Sequence, residues 1–242
     1  MAGYAEAARL LDGSTLRAVS LALRGGVDDY DPGAPDPGLV EPVESPFGSV
    51  GGATERLSRL ESRLRKRGDR RAVFLTIYVR MSREVHDGIG RGRFADPEWM
   101  REYLITFANY YRRAFLAFER GDLEAVPDPW RLAFGTAVRG DGLVVQDAFL
   151  GVNAHINYDL ALADDDVGID PNRARKYADH REINDVLAGL VDAQQRALAR
   201  IYAPGIADID ALCDRFDEAA TLYSMTEGRE QAWRIAVVLT DV

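Results

Sequence analysis

The segment GVNAHINYDL, residues 151–160, concentrates polar side chains whose types and spacing could support chemistry. His155 and Asp159 are four residues apart, so on a helix they project side by side from one face. Asn153 and Asn157 form a second polar column on an adjacent flank. An imidazole beside a carboxylate can act as an oriented base, and the two groups also offer nitrogen and oxygen ligands to a metal ion.

A second segment, DHREINDVL at residues 179–187, carries a comparable set of polar residues. His180 and Asn184 are four residues apart and in register with the apolar positions that follow them, which predicts an inward-facing position on a helix. If this helix is a neighbour of the first, His180 and Asn184 are expected to converge with His155 and Asp159.

The first hypothesis drawn from these residues is a metal-dependent enzyme of the hydrolase class. His155, Asp159 and His180 would bind zinc, iron or manganese and leave an open position for water. Either His86 or Asn184 could complete the ligand set, and Asp185 or Glu182 could then serve as the base. Against this hypothesis, a His and an Asp four residues apart are common by chance, and the chain contains no H-E-x-x-H signature.

The second hypothesis is a metal-free site for a polar small molecule. Its ligand-binding residues would be Asn153, Asn157, Asn184 and His86. Side-chain amides suit this role because each offers both a donor and an acceptor. His155, oriented by Asp159, would be the general base if the site performs chemistry.

The third hypothesis is a non-enzymatic structural or interaction domain. The same polar groups would then form a satisfied hydrogen-bond network between helices, with no ligand. Each buried polar group left without a partner costs about 1–3 kcal/mol, so partners must come from other helices, water or a ligand. The sequence leaves all three hypotheses open.

The stretch GVNAHINYDLA, with FLTIYVRM upstream and REINDVLAGLVD downstream, resembles a helical family known only as a domain of unknown function. Its members share a G-x-N-A-H-I-N-x-D-L core and an I-N-D-V-L segment, and the resemblance covers roughly residues 55–240. It implies a soluble, mostly helical domain and brings no activity with it. The motif residues that carry over, without roles, are Asn153, His155, Asn157, Asp159, Asn184 and Asp185.

Apolar spacing of three and four residues predicts an all-α fold, a single-domain bundle of about seven to nine helices. A first helix is expected within residues 1–25, a proline- and glycine-rich surface loop or linker at 26–52, and the helical domain at 53–242. Whether the first helix docks on that domain is left open.

Several helix ends are predicted from local signals. Asp96 before Pro97 predicts an N-cap, and Asp179 with Glu182 three residues later resembles a capping box that would begin a helix. The run DDDVGID, residues 164–170, is expected to be a solvated loop. The last two predicted helices cover about residues 207–224 and 228–240.

The composition indicates an acidic protein in a cytoplasm, with no membrane span. The 242 residues include 39 acidic and 30 basic side chains, for a net charge of -9, and only Lys66 and Lys176 are lysine. No run approaches the roughly 18 apolar residues of a membrane span, and the N-terminus lacks the pattern of a signal peptide. Hydrated carboxylates suggest a halophilic cytoplasm, and the lack of a basic block argues against nucleic acid. A small-molecule ligand is the expected partner, and the oligomeric state stays open.

Overall fold

A computed structural model describes residues 34–140, 143–190 and 218–242, together with positions 196, 198, 200 and 201. This part of the chain contains eight helices of eight or more residues and no strand, which confirms the all-α prediction. None of the described helices is both long and apolar enough to cross a membrane. The helix predicted within residues 1–25 lies outside the described residues.

In chain order the described helices are α1, Pro37–Val40; α2, Val50–Lys66; α3, Ala72–Gly90; α4, Pro97–Glu119; α5, Asp128–Arg139; α6, Val144–Ala154; α7, Leu160–Val167; α8, Arg173–Ala188; and α9, Glu218–Thr240. From α1 to α8 these helices follow one another within a few residues, and α9 is the next helix of the described part of the chain. A 3-10 turn at Glu41–Val43 follows α1 directly. A π-helical turn at His155–Asp159 joins α6 to α7.

Aromatic side chains dominate the core where α4 and α5 meet. The largest fully buried rings are Tyr103, Tyr111, Phe115, Phe118 and Trp130. Each ring removes on the order of 150–250 Å² from water, so this group supplies much of the apolar burial. α4 also packs against the π turn and α7, while α3 packs against α6 and α7 packs against α9. The π turn contacts α4, α6, α7 and α9 and so links four helices of the bundle.

The cap before α4 forms as predicted, whereas the predicted capping box does not. The Asp96 carboxylate accepts a hydrogen bond from the backbone N–H of Trp99 at 3.2 Å, with Pro97 at the first helical position. Asp179 instead lies in the middle of α8, and its carboxylate accepts the backbone N–H groups of Ala95 and Asp96 at 2.7 and 2.6 Å. Asp179 thus provides hydrogen-bond acceptors for backbone N–H groups of the loop before α4. Its spacing to Glu182 only resembles that of a local capping box.

The prediction of two C-terminal helices separated near residues 225–227 is wrong. α9 runs from Glu218 to Thr240 without a break near Gly228. Glycine in a helix costs about 1 kcal/mol relative to alanine, and packing against the rest of the bundle outweighs that cost here. Residues 207–217 of the predicted pair lie outside the described residues.

The described part of the proline-rich stretch differs from the expected surface excursion. Leu39, Val43 and Phe47 are buried, and residues 37–43 are helical. The Asn109 side chain accepts from the N–H of Phe47 and donates to its carbonyl, at 2.9 and 3.1 Å. Arg56 donates to three backbone carbonyls of residues 42–46. These contacts satisfy backbone groups that have no helical partner, so the stretch packs on the bundle, while the domain division at residues 25 and 52 stays a prediction.

Candidate small-molecule site beside His155

The π turn at residues 155–159 is held by two close helix contacts. A Cβ on Gly151 would lie 2.6 Å from Cβ of Phe74, so only glycine lets α6 approach α3 this closely. A Cβ on Gly228 would lie 2.7 Å from the Asn157 side-chain oxygen, so α9 approaches the other side of the turn in the same way. π turns inside α-helices are rare and often mark functional sites.

His155 is the first member of a buried hydrogen-bonded chain. Its Nδ1 lies 2.9 Å from Oδ2 of Asp159, and the indole N–H of Trp130 donates to the same oxygen at 2.8 Å. Burial lowers the pKa of His155 and raises that of Asp159, and the hydrogen bond between them opposes both shifts. The imidazole is therefore neutral at neutral pH, with its proton on Nδ1 facing the acceptor and a lone pair on Nε2.

Stacked aromatic rings fix the plane of the His155 imidazole. The Phe107 ring lies parallel to it with a centroid distance of 3.6 Å, and the edge contact with Tyr78 has a centroid distance of 4.4 Å. His155 is only 3% exposed, yet Nε2 has no hydrogen-bond partner among the described residues, and neither does Oδ1 of Asp159. An imidazole held in one orientation thus presents an unpartnered acceptor.

This imidazole lines a cavity of about 50 Å³ enclosed mainly by apolar side chains of α3, α4, the π turn, α8 and α9. That volume exceeds the roughly 10–15 Å³ that a cavity needs to hold one water molecule and is smaller than the roughly 150 Å³ cavity that holds benzene. The lining residues that carry polar side-chain atoms are Tyr78, Ser82, Tyr103, His155 and Arg229. Burial raises the pKa of Tyr78, and it raises that of Tyr103 to about 12, so both phenols stay protonated.

His180 and Asn184 belong to a second buried cluster built around Arg229. The Nε2 of His180 donates to the Arg229 carbonyl at 3.1 Å, and Arg229 Nε donates to the Asn184 side-chain oxygen at 2.8 Å. Burial, with the nearby Arg229 charge, holds the pKa of His180 well below its usual value. The predicted convergence of these residues with His155 and Asp159 is therefore replaced by two separate hydrogen-bonded clusters.

Asp164 joins the second cluster, which corrects the prediction of a solvated loop. It lies in α7 and is fully buried, with Oδ2 3.7 Å from Nδ1 of His180. Burial raises the pKa of Asp164 to about 7, although the Arg229 charge opposes that shift. Neither carboxylate oxygen has a hydrogen-bond partner among the described residues.

The remaining predicted site residues lie at the surface. Asn153 and Asn157 are exposed and hydrogen-bond to each other at 2.7 Å, which joins successive turns of one helix. His86 and Asp185 are also exposed. None of these four residues lines the cavity.

The predicted metal ligands His155, Asp159 and His180 are not gathered into one ligand set. Across residues 34–140, 143–190 and 218–242, no group of three or more His, Cys, Asp or Glu side chains is arranged to hold a metal ion. His155 hydrogen-bonds to the Asp159 carboxylate, which also accepts from the Trp130 indole. His180 hydrogen-bonds to the Arg229 backbone carbonyl and lies beside the Asp164 carboxylate. The geometry therefore favours hydrogen bonding over metal ligation at both histidines.

Trp130 and Arg229 were missed as site residues in the sequence. Trp130 is 29 positions from its partner Asp159, and no local spacing connects the two. Arg229 did carry a signal, because it lies in the apolar stripe formed by Met225, Ala232 and Ala236 at three- and four-residue spacing. A charged residue within such a stripe is buried and must have partners.

Comparison with known proteins identifies the family of this chain and no activity. No curated protein and no solved structure matches it. A family model described as a family of unknown function (DUF5995) matches residues 50–242, which include both histidine clusters and every lining residue of the cavity. The chain therefore belongs to this family of unknown function, which agrees with the predicted resemblance to an uncharacterised helical domain.

Proposed function

We propose that this protein binds a small molecule carrying a hydroxyl or N–H group, which donates a hydrogen bond to Nε2 of His155. The observation that carries the proposal is a buried imidazole on the wall of a mainly apolar cavity, whose Nε2 has no partner among the residues described in the structure. An unpartnered buried acceptor costs about 1–3 kcal/mol, and a ligand donor would recover that free energy. Apolar walls with a few oriented polar groups are typical of small-molecule sites.

A satisfied structural network fits these residues less well. Such a network would pair each buried polar atom, whereas Nε2 of His155 and Oδ1 of Asp159 both lack partners among the described residues. In addition, stacking on Phe107 already orients the imidazole, so further hydrogen bonds are not needed to hold it in place. Nε2 of His155 is therefore a preorganised acceptor for a ligand.

A second candidate function, proton abstraction from the ligand, is favoured by the position of Asp159. The carboxylate holds the imidazole proton on Nδ1, which leaves Nε2 as the basic nitrogen, and it would stabilise the imidazolium that forms on proton transfer. Trp130 fixes the same carboxylate oxygen from the opposite side. The His155 imidazole would then be both the binding acceptor and the general base.

The test compares two probes of equal size that differ in one hydrogen-bond donor. The full chain is titrated with 2-propanol and with acetone, while NMR follows the methyl groups of Met81, Ile156 and Met225 on the cavity wall. We expect 2-propanol to shift these signals at concentrations about tenfold lower than acetone, because only the alcohol can donate to Nε2. His155→Phe should abolish the difference between the probes.

Two controls make the result decisive. Asn153→Ala changes an exposed amide that does not line the cavity, so it should leave both titrations unchanged. Xenon, a probe of apolar cavities, should shift the same methyl groups in the wild type and in His155→Phe. Xenon binding without any preference for the alcohol would show an accessible cavity and would refute the proposed hydrogen bond.

A further inference from the structure

Arg229 is a buried cation on the wall of the same cavity. Its residue is 3% exposed, and its guanidinium donates to Oδ1 of Asn184, the backbone carbonyl of His180 and the hydroxyl of Tyr103, at 2.8, 2.6 and 3.4 Å. All three acceptors are neutral. Among the residues that the structure describes, no carboxylate oxygen lies within 4 Å of a guanidinium nitrogen of Arg229.

The hydrogen-bond capacity of this guanidinium is only partly used. A guanidinium has five N–H groups, and three of those of Arg229 are directed at these acceptors, which leaves two on the terminal nitrogens without an acceptor among the described residues. The Asp164 carboxylate interacts electrostatically with Arg229 but makes no hydrogen bond to it. A buried charge without a hydrogen-bonded counter-ion is costly, and an anionic ligand would offset that cost.

We propose that the molecule bound in the cavity is a short-chain hydroxy acid, whose carboxylate pairs with Arg229 and whose hydroxyl donates to His155. Arg229 and His155 line one cavity, and its other lining side chains are mostly apolar, which suits a short hydrocarbon body. The planar guanidinium fork matches a carboxylate in two-point geometry, which a neutral group cannot reproduce. The volume of about 50 Å³ suits a ligand part of a few non-hydrogen atoms. This inference rests on the proposed function because it assigns a ligand class to the same site.

The test uses glycolate, its neutral analogue glycolamide, and acetate, which lacks the hydroxyl group. Each is titrated into the full chain at constant ionic strength, with the wall methyl groups as the readout. We expect glycolate to bind most tightly, and glycolamide about tenfold more weakly, because the charge-assisted pair with Arg229 is lost. Acetate should also bind more weakly than glycolate, since it cannot donate to His155.

Variants locate the origin of this preference. Arg229→Gln should remove the preference for glycolate over glycolamide, and Arg229→Lys should keep part of it because the charge remains. Arg234→Gln changes an exposed arginine of the same helix and should have no effect. The ligand comparison on the wild type decides the matter even if a variant of the buried arginine fails to fold.

The outcomes separate this inference from the proposed function. If 2-propanol binds but glycolate binds no more tightly than glycolamide, the hydroxy-acid proposal is contradicted and the proposed hydrogen bond to His155 is retained. A carboxylate preference that survives in Arg229→Gln would also overturn it. Loss of that preference in Arg229→Gln, combined with unchanged glycolate binding in His155→Phe, would support the pairing with Arg229 and contradict the hydroxyl contact. Binding of no probe at all would contradict both proposals.

Discussion

Burial sets the charge of the polar residues around the cavity. His155 and His180 are both held neutral because desolvation lowers their pKa values. Each therefore has one ring nitrogen that donates and one that accepts, and the donor is directed at a named oxygen in both cases. The two histidines differ in the surroundings of the ring nitrogen that accepts. His155 lines the cavity and its Nε2 has no hydrogen-bond partner among the described residues, whereas Nδ1 of His180 lies 3.7 Å from Oδ2 of Asp164, so His155 is the better candidate for a ligand contact.

Asp164 gives a pH dependence of stability whose sign follows from its raised pKa. Below about pH 4 its carboxyl is protonated in both the folded and unfolded chain and contributes nothing. Between the ordinary value of 3.8 and the folded value of about 7, only the unfolded chain ionises, so the free energy of unfolding falls as pH rises. Above about pH 7 both states are ionised and the loss, at most about 4 kcal/mol, is complete.

Asp164→Asn should remove this loss, because the amide has nearly the same shape and no charge to desolvate. We expect the variant and the wild type to have similar stability at pH 4, and the variant to be more stable by up to about 4 kcal/mol at pH 8. Urea denaturation at a series of pH values measures the difference. Asp165→Asn, at the exposed neighbouring position, is the matched control. A stability difference that does not grow with pH would contradict the assigned pKa.

At the level of elements, the π turn depends on glycines that let two neighbouring helices come close. Phe74 of α3 packs directly against Gly151, and the Asn157 side chain of the turn packs directly against Gly228. The turn carries His155 and Asp159 at its two ends, so its position sets where the imidazole meets the cavity. The first glycine of the GVNAHINYDL segment thus has a packing role that is separate from the chemistry of the polar residues.

Gly151→Ala should destabilise the protein by about 1–3 kcal/mol, although alanine is the better helix former. The new Cβ would contact Cβ of Phe74 at 2.6 Å, so relief requires a shift of the helix and not of a flexible side-chain end. Chemical denaturation followed by circular dichroism measures the change.

Gly51→Ala is the control for the helix preference itself, because an added Cβ there meets nothing within 4 Å. That control should be neutral or stabilising. A Gly151→Ala variant as stable as the wild type would show that α3 and α6 are not as close as described.

At the scale of the whole molecule, the acidic composition predicts that stability depends on the salt concentration. A net charge of -9 implies repulsion between surface carboxylates, and added salt screens it. Many arginines form exposed ion pairs, such as Arg59 with Glu55 and Arg91 with Asp87, but each such pair contributes little. The repulsion should therefore dominate the response to salt.

Raising KCl from about 0.1 M to about 1 M shortens the screening length from about 10 Å to about 3 Å and should raise the melting temperature. A stabilisation of 1 kcal/mol corresponds to an increase of about 2–4 °C for a chain of this size. Differential scanning calorimetry measures it. NaCl should act like KCl, because screening does not depend on the identity of the ion. A melting temperature that falls with salt would contradict the halophilic interpretation, which, like the cytoplasmic location and the absence of nucleic-acid binding, stays a prediction.

Local signals in the sequence determined the helices, the Asp96 cap and the pairing of His155 with Asp159. Each of these follows from helix geometry over a few residues, because positions three and four apart always share a face. The same reasoning failed for Asp179, whose spacing to Glu182 imitates a cap while its partners lie more than 80 residues away.

Only the tertiary structure decided which polar residues are buried and what they face. Packing buried Asp164, left Asn153 exposed, and placed the Trp130 indole and the Arg229 guanidinium beside the two histidines. These contacts join helices that are distant in sequence, and how the helices pack depends on the fit of the whole core and not on any local spacing. The His155–Asp159 pair could therefore be found in the sequence, whereas the cavity that would give it a function exists only in the folded chain.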